Sequence, residues 1–253
     1  MINLRVLNLT SLNSATKYPS ISTYHEIDRG ILLDPTVLFD GEVVLTEKVD
    51  GTNARIVVFP NGDYVIGSRK ELLYARGDLI ANPALGIVDA LRDLADHITA
   101  PEAGIRVYFL EVYGSDVTKA SGEYTGTKAV GYRLFDVVSI DPSVLDLPDE
   151  AISTWRESGG QSFHTEQELT ELAEQNAIPL TPRLGSFPAH EIPTGLQEMQ
   201  EFLTKHLPTT RVALDDGGTG RPEGIVLRTL DRTAIAKARF EDYTRTFKRA
   251  ARR

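Results

Sequence analysis

The sequence predicts an α+β fold in which antiparallel sheets are flanked by helices. Short apolar segments rich in Val, Ile, Phe and Tyr dominate the first half of the chain. Helical patterns follow without the regular strand–helix alternation of a parallel sheet. The chain has 253 residues, of which 41% are hydrophobic and 25% charged, so it can build one large domain or two small ones.

The strands are predicted from β-branched and aromatic runs bounded by Gly, Pro, Asn and Asp. Several of them carry a charged residue among apolar neighbours, which is unusual for a strand that contributes to a core. The predicted strands are 43–48, 54–59, 64–68, 105–112, 130–140, 224–229 and 233–240.

A hairpin is predicted around Asn61-Gly62, because this pair between two apolar runs is typical of a two-residue turn. Such a turn would pair Ala54 with Arg69 across the hairpin. Arg69 would then lie within reach of the residues that follow Lys48, unless it is simply a solvated arginine at a strand end.

Three amphipathic helices are predicted from apolar spacing and from start signals. Two of them begin with a Thr followed three residues later by Glu or Gln, which is the pattern of a capping box. The third begins with Asn and then Pro, which suits the first helical position. The predicted helices are 83–97 after Asn82, 166–176 after Thr165 and 195–206 after Thr194. The Gly-rich segment 215–220 is predicted to be a loop.

Composition limits the classes of function. There are no cysteines, which excludes disulfides and thiolate metal sites. No apolar run reaches the roughly 20 residues of a membrane span, and no signal peptide is evident, so a cytoplasmic protein is expected. The net charge of −9 argues against a surface coated with phosphate-binding cations, although seven Lys/Arg and two Asp/Glu lie between Lys237 and Arg253.

The segment 46–53, Thr-Glu-Lys-Val-Asp-Gly-Thr-Asn, places Lys48 at the end of a strand. A lysine beside an Asp-Gly turn is usually a solvated turn residue. A chemical role for Lys48 becomes the better interpretation because other predicted strands also carry charged residues among apolar ones. A carboxylate in such a position is costly unless it has a partner. Each of these charges also fits a structural salt bridge or a polar strand edge. They are Glu111, Asp136, Glu223, Lys237 and Arg239.

Taken in order, these segments resemble the covalent nucleotidyltransferase superfamily of DNA ligases, RNA ligases and mRNA capping enzymes. Its signature is a Lys-x-Asp-Gly nucleophile motif followed by five short blocks. Each block is unspecific alone, but the ordered set is highly specific. The six blocks are residues 48–51, 68–69, 109–114, 132–136, 223–228 and 237–239.

Within the superfamily the chain looks closest to ATP-dependent RNA ligases, of the kinds that seal nicks in duplex RNA or act in RNA editing. The similarity includes Gly-Thr-Asn at 51–53, the upstream segment 17–21 and the block 133–136. Two positions depart from the pattern. Asp50 stands where those ligases often carry His, and Arg239 stands where they carry Lys, so a planar fork replaces a point charge.

The resemblance implies a nucleotidyltransferase (ATP-grasp-like) ligase fold without an OB domain. Residues 1–240 would form the adenylyltransferase domain and 241–253 a basic C-terminal tail. It also implies ATP and Mg²⁺ (or Mn²⁺) as cofactors and RNA with 5′-phosphate and 3′-hydroxyl ends as the partner. A further protein or a dimer would supply the C-terminal domain that ligases of this type otherwise carry.

By the same resemblance, Lys48 takes AMP from ATP, AMP passes to a 5′-phosphate end, and a 3′-hydroxyl displaces it. A nucleophilic lysine must be neutral, so cations are expected around it. Lys48, Glu223 and Lys237 would be catalytic. Nucleotide contacts would come from Glu47, Asp50, Asn53, Arg69, Glu111, Phe135, Lys237 and Arg239. Metal contacts would come from Asp50, Glu111, Asp136 and Glu223.

Three alternatives remain open from sequence. The chain could be a DNA-nick ligase, a GTP-dependent capping-type enzyme, or a nucleotide- or RNA-end-binding module without catalysis. The expected lack of an OB domain speaks against the first two. The presence of Lys48, Glu111, Glu223 and Lys237 speaks against the third.

Overall fold

A computed structural model describes residue 4 and residues 6–251. In this part of the chain it contains fourteen strands and seven α-helices. The strands are β1 Ser22–Thr23, β2 His25–Asp28, β3 Ile31–Pro35, β4 Glu42–Lys48, β5 Thr52–Val58, β6 Tyr64–Ser68, β7 Leu72–Ala75, β8 Asp78–Leu79, β9 Ile105–Gly114, β10 Val130–Ile140, β11 Ser162–Phe163, β12 Arg183–Pro188, β13 Gly224–Thr229 and β14 Ile235–Arg239. The helices are α1 Leu9–Ala15, α2 Ile87–His97, α3 Ser121–Tyr124, α4 Asp149–Glu157, α5 Glu166–Gln175, α6 Leu196–His206 and α7 Phe240–Ala250.

The chain divides into two compact units. Unit 1 comprises Met1–Ser20, Gly51–Lys119 and Val130–Leu180. Unit 2 comprises Ile21–Asp50, Ala120–Ala129 and Thr181–Arg253. The boundary between Asp50 and Gly51 falls inside the predicted nucleophile motif.

Unit 1 is built on a seven-stranded sheet in the order β11-β10-β9-β5-β6-β7-β8, with every pair antiparallel. Side chains alternate along β5, so Ile56 packs on one face and Val57 on the other. Leu91 of α2 and Leu169 of α5 join the cluster of Ile56, while Leu12 of α1 joins that of Val57. Helices therefore cover both faces of the sheet.

The hairpin between β5 and β6 has a register one residue away from the prediction, which was wrong. Ala54 pairs with Ser68 and not with Arg69. The connection is a three-residue loop, 60–62, in which Gly62 has φ 82° and occupies the left-handed position that such loops require. A Gly in this position serves a three-residue loop as well as a two-residue turn.

Strand β10 coincides with the predicted strand 130–140, but it contains a bulge. Leu134 pairs with Leu110 of β9 and Asp136 with Phe109, so Phe135 is the extra residue. A bulge changes which face the following side chain occupies. Asp136 therefore lies on the face of Phe109, where the Tyr18 hydroxyl donates to its Oδ2 at 2.9 Å.

Unit 2 contains a five-stranded sheet in the order β1-β14-β13-β4-β12. Only the β1–β14 pair is parallel among these strands. Leu45 of β4 and Ile225 of β13 pack in one cluster with Met199 of α6 and Tyr243 of α7. The two helices thus cover one face, and Thr46, in register with Val226, lies on the other.

The predicted helices are found, with two errors at their starts. Helix α5 begins after Thr165 with the predicted capping box. Helix α2 begins only at Ile87, after a 3-10 turn, so Asn82 does not cap it. Helix α6 begins at Leu196 with Gly195 as its N-cap, so it has no side-chain cap and Thr194 does not occupy the capping position.

Helix α7 was not predicted from the sequence. It takes up most of the segment expected to be a basic tail, and Asp242, Tyr243 and Thr246 are buried. Residues 252–253 of that expected tail lie outside the described residues. The segment 215–220 is a loop, as predicted. Among the described helices, none is both long and apolar enough to cross a bilayer.

Candidate active site

Lys48 and Glu223 form an ion pair within unit 2. Lys48 is the last residue of β4 and pairs in register with Gly224, the first residue of β13. Glu223 directly precedes that strand, so the sheet brings the two side chains together. Lys48 Nζ donates to Glu223 Oε2 at 2.5 Å, and the side chains are 26% and 17% exposed. The amine is therefore held in place yet remains accessible.

The environment of Glu223 favours its protonated form. Burial raises the pKa of the Glu223 carboxyl, and the Lys48 ammonium opposes this shift. The neighbouring Asp50 carboxylate raises the pKa further. Glu223 is thus a carboxylate in direct contact with the Lys48 amine and with an increased affinity for a proton.

Two further cations share the face of Lys48. In register, Lys237 lies opposite Val226, which lies opposite Thr46, and Arg239 lies opposite Gly224. Because side chains alternate along strands, Lys237 and Arg239 project on the same side of the sheet as Lys48. Cations were expected to surround the lysine, but its direct contact is the anion Glu223.

Arg239 is held by the buried Asp242 of α7. Its Nε donates to Asp242 Oδ2 at 2.8 Å and Nη2 to Oδ1 at 3.2 Å. This bidentate contact uses the planar fork of arginine, which a lysine lacks. The structure therefore gives a local reason for arginine in a position where the family pattern has lysine.

Glu47 lies on the opposite side of the sheet from Lys48. It is in register with Ile225 and is only 1% exposed. Its carboxylate accepts hydrogen bonds from the Thr210 hydroxyl and from the Arg211 backbone N–H at 2.8 Å. The Glu47 side chain therefore holds the loop that contains Thr210 and Arg211. The nucleotide contact predicted for Glu47 would then come from the backbone next to it.

Asp50 is fixed through its backbone. Its N–H donates to the hydroxyl of the fully buried Tyr124 at 2.6 Å. Asp50 and Glu223 are the two predicted metal ligands in unit 2, and Glu111 and Asp136 belong to unit 1. The described residues contain no group of three or more His, Cys, Asp or Glu that could hold a metal ion.

In unit 1, Glu111 and Asn53 face each other across β9 and β5. Glu111 Oε1 accepts a hydrogen bond from the Gly51 N–H at 3.1 Å, so it holds the turn that follows the nucleophile motif. A Cβ at Gly51 would collide with the Val112 carbonyl oxygen. This close approach explains why the motif ends in glycine.

Phe135 and Asp136 belong to an aromatic cluster of unit 1. The ring of Tyr18 meets Phe135 and Phe109 edge-on, with centroids 5.0 Å and 4.9 Å apart. Phe135 is partly exposed, whereas Asp136 is fully buried. Asp136 thus binds Tyr18 within the unit, whereas Phe135 as a residue is only partly buried.

Arg69 is exposed in the turn after β6, and a second arginine holds that turn. Arg55 is fully buried, and its Nη1 donates to the carbonyl oxygens of Ser68 at 2.9 Å and Arg69 at 3.4 Å. Its Nη2 donates to Asn13. Burial, and then repulsion from Arg156, lower the pKa of Arg55 to about 9.

Sequence reasoning missed Arg55, Tyr124 and Asp242. Arg55 carried the signal used for Glu111, a charge inside an apolar strand, and could have been found by it. Tyr124 and Asp242 gave no comparable signal, because their roles depend on contacts with distant residues or on a helix that was not predicted.

Comparison with solved structures places this fold among RNA ligases. A Naegleria gruberi RNA ligase variant with ATP and Mn matches with TM-score 0.56 at 14% identity, over 92% of this chain and 62% of that one. The same ligase with PPi matches with TM-score 0.55 at 14% identity, over 91% and 62%. An archaeal ATP-dependent RNA ligase matches with TM-score 0.51 at 16% identity, over 90% and 49%.

The chain thus spans less than two thirds of the length of these structures. At such low identity the likeness shows the fold, which confirms the predicted nucleotidyltransferase architecture with open antiparallel sheets. No curated protein sequence gives a significant match. A family model described as RNA ligase, however, matches residues 41–248, which include Lys48, Glu223 and Arg239. The chain is a member of the RNA ligase family.

Proposed function

We propose that this chain is an ATP-dependent RNA ligase that forms a lysyl-AMP intermediate on Lys48. The observation that carries the proposal is the Lys48–Glu223 ion pair, which lies on the sheet face of Lys237 and Arg239. Membership of the RNA ligase family supports it, and one of the matched structures, the Naegleria gruberi RNA ligase variant, was solved with ATP and Mn. Residues 1–240 would form the adenylyltransferase domain.

The first step is attack of the Lys48 amine on the α-phosphorus of ATP. The ammonium must first lose a proton, and Glu223 is the carboxylate in contact with it. The new bond joins Nζ to phosphorus, and the bond from phosphorus to the pyrophosphate oxygen breaks, so pyrophosphate leaves with the electron pair. Proton transfer within the ion pair removes both charges and releases the amine for attack.

Lys237 and Arg239 would stabilise the negative charge that develops on the phosphate in this step. Because Arg239 is held by Asp242, its guanidinium would be positioned before the substrate arrives. Lys237 has no such rigid fork and acts as a point charge. A planar guanidinium and a compact ammonium would thus face the transferred group.

A divalent cation could be held at this site if the substrate and water supply part of its ligands. Mg²⁺ is commonly held by one or two carboxylates together with substrate phosphates and water. Asp50 and Glu223 are close enough for their charges to interact, so they could supply the protein carboxylates. When bound, the ion would neutralise part of the triphosphate charge.

The roles predicted for unit 1 follow from the family resemblance. Phe135, which is partly exposed, would stack on adenine, and Arg69 and Glu111 would bind the ribose and phosphates. Asn53 would assist Glu111, its partner in register. The contact of Glu111 with the Gly51 N–H supports a role in shaping the turn after Lys48. For Asp136, hydrogen-bonded to Tyr18, we propose support of the aromatic cluster in addition to the predicted metal contact.

The remaining steps concern RNA. AMP would pass from Lys48 to the 5′-phosphate of an RNA end, and an adjacent 3′-hydroxyl would displace AMP and close the strand. A further protein, or a second copy of the chain, would help to hold the two ends. We expect this activity in the cytoplasm.

The proposal is tested by intact-mass measurement after incubation with ATP and Mg²⁺. Wild type should gain the mass of one AMP, and Lys48→Ala should gain none. Parallel incubations with GTP and NAD identify the nucleotide donor, and only ATP should label the protein. No mass gain in wild type with any donor would favour a binding module without catalysis.

Sealing is tested separately on nicked duplexes with 5′-phosphate and 3′-hydroxyl ends. RNA strands should be joined faster than DNA strands of the same sequence. Preference for nicked DNA would indicate a DNA ligase and contradict the proposed substrate.

A further inference from the structure

Two segments of unit 2 form a hydrogen-bonded structure that we call the clasp. The first is 120–129, which lies in the chain between β9 and β10 and contains the one-turn helix α3. The second is the loop 209–221, which leads to Glu223. Neither segment takes part in the reaction proposed above.

Main-chain hydrogen bonds join the two segments of the clasp. The Leu214 N–H donates to the Tyr124 carbonyl oxygen at 2.7 Å, and the Gly220 N–H donates to that of Glu123 at 3.0 Å. A Cβ on Gly126 would lie 2.8 Å from the Cα of Gly217. The two backbones therefore touch, and only a glycine fits at position 126 without displacing the loop.

Asp215 fastens the clasp through its side chain. Its carboxylate accepts hydrogen bonds from the hydroxyls of Thr125 and Thr127 and from the Gly126 N–H at 2.8 Å. These donors, the Thr125 hydroxyl first, hold the pKa of Asp215 below its ordinary value. The contact is therefore charge-assisted at neutral pH.

The clasp is connected to the chain on both sides of Lys48, at Glu47 and at Asp50, and it leads to the partner of Lys48, Glu223. On one side, the Tyr124 hydroxyl accepts the Asp50 N–H at 2.6 Å. On the other side, Glu47 binds Thr210 and Arg211 at the start of the loop. The far end of the same loop continues directly into Glu223.

Tyr124 is the contact between the clasp and the turn after Lys48. Its side chain is fully buried, and burial raises the pKa of the hydroxyl, which therefore stays neutral. The residue is 74 positions away from Asp50 in the chain, so the hydrogen bond restrains the turn from outside its own strand. An amine that attacks phosphorus must be placed within about 0.5 Å of its productive position, and a restraint of this kind limits its range of positions.

We infer that Tyr124 is a positioning residue for the Lys48 nucleophile and acts through the Asp50 backbone as part of the clasp. This inference rests on the proposed function, since it concerns the reaction of Lys48 with ATP. It adds a residue outside the six sequence blocks to the set that the reaction needs.

Tyr124→Phe tests the inference because it removes only the hydroxyl oxygen that accepts the Asp50 N–H. The matched control is Tyr64→Phe, which removes the hydroxyl of another buried tyrosine, bonded to Asp96 at 2.9 Å in unit 1. The rate of lysyl-AMP formation is measured in single turnover over a range of ATP concentrations. Amide hydrogen exchange of Asp50 is measured in the same proteins without ATP.

For Tyr124→Phe we expect the rate at saturating ATP to fall about tenfold or more, with the half-saturating ATP concentration within about twofold of wild type. Exchange of the Asp50 amide should accelerate in this variant alone. Tyr64→Phe should react like wild type. The inference would be overturned if the rate fell equally in both variants, or if saturating ATP restored the rate of Tyr124→Phe. It would also be overturned if the exchange rate of the Asp50 amide did not change in Tyr124→Phe.

A second pair of variants tests the clasp without touching Tyr124. Gly126→Ala forces the two segments apart, whereas Gly122→Ala adds a methyl group with nothing within 4 Å. Only Gly126→Ala should slow adenylylation. If wild type forms no AMP adduct, the proposed function fails and the inference falls with it. If wild type reacts and both Tyr124→Phe and Gly126→Ala react at the same rate, the inference alone fails.

Discussion

Two cations on successive strands show how differently the two units use positive charge. Lys48 in unit 2 is 26% exposed and contacts one carboxylate, Glu223. Arg55 in unit 1 is fully buried and donates to two backbone carbonyls and to Asn13. Lys48 ends a strand with an apolar centre and Arg55 lies inside another, so charge among apolar neighbours does not by itself separate the two residues.

The difference lies in whether the partner can exchange a proton. Glu223 has a pKa raised by burial, so the pair with Lys48 can become neutral by a proton transfer. The partners of Arg55 are amide oxygens, which cannot take a proton at ordinary pH, and the guanidinium stays charged. A reactive cation has an accessible, titratable partner, whereas a structural cation has buried, neutral ones.

The largest effect should follow from Glu223→Gln, which keeps the shape of the side chain but removes the proton acceptor. We expect the rate of lysyl-AMP formation to fall by about 10²–10⁴-fold, the range for loss of a general base. The rate is measured by mass spectrometry in single turnover. The exposed Glu198→Gln serves as control, and a Glu223→Gln rate within threefold of wild type would contradict the role given to the ion pair.

The second effect concerns stability. Arg55→Met removes the hydrogen bonds to Ser68, Arg69 and Asn13 and leaves buried oxygens without their donor. We expect the free energy of unfolding to fall by about 2–4 kcal/mol. Urea denaturation measures it, with the exposed Arg92→Met as control. Equal stability of the two variants would show that Arg55 is not a structural cation.

The third effect is the pH dependence that Glu223 adds to stability. Its pKa in the folded protein is raised from 4.5, so the folded state holds this proton more tightly than the unfolded state. The stabilisation that the protonated Glu223 carboxyl adds to the folded state is complete below its pKa in the unfolded chain. This stabilisation is lost as pH rises through its pKa in the folded protein. Wild type should therefore lose stability relative to Glu223→Gln as pH rises above 4.5.

This difference is measured by urea denaturation of both proteins from acidic to neutral pH. A constant difference, or one that changes in the opposite direction, would mean that Glu223 is not held in an environment that favours its protonated form.

The smallest effect should come from Lys48→Met. The lysine is partly exposed, and its single carboxylate partner can take up a proton when the ammonium is removed. We expect the free energy of unfolding to change by no more than about 1 kcal/mol, the range for accessible ion pairs. A loss as large as that of Arg55→Met would remove the contrast between the two cations.

Local signals in the sequence predicted seven of the fourteen strands and three of the seven α-helices in the described part of the chain. The strand 130–140 and the capping box at Thr165 were confirmed, because alternation and capping depend on residues close in the chain. The register after Ala54 and the cap of α6 were wrong. The first depends on loop length, which Asn61-Gly62 does not determine. The second depends on where the helix begins, since Gly195 and not Thr194 occupies the N-cap position.

The site was predicted to a different degree in its different parts. Lys48 and Glu223 were predicted as site residues because their blocks occur in a specific order along the chain, and the structure pairs their side chains directly. Tyr124 could not be predicted, because its partner is a backbone N–H 74 residues away. Contacts of this kind become visible only when the topology is known.

The central claim is that the Lys48 amine forms the bond to AMP. Peptide mapping of protein incubated with ATP and Mg²⁺ tests it most directly. We predict one adenylylated peptide, with the adduct on Lys48, acid-labile as a phosphoramidate should be and absent from Lys48→Ala. An adduct on another residue, or one that persists in Lys48→Ala, would contradict the account.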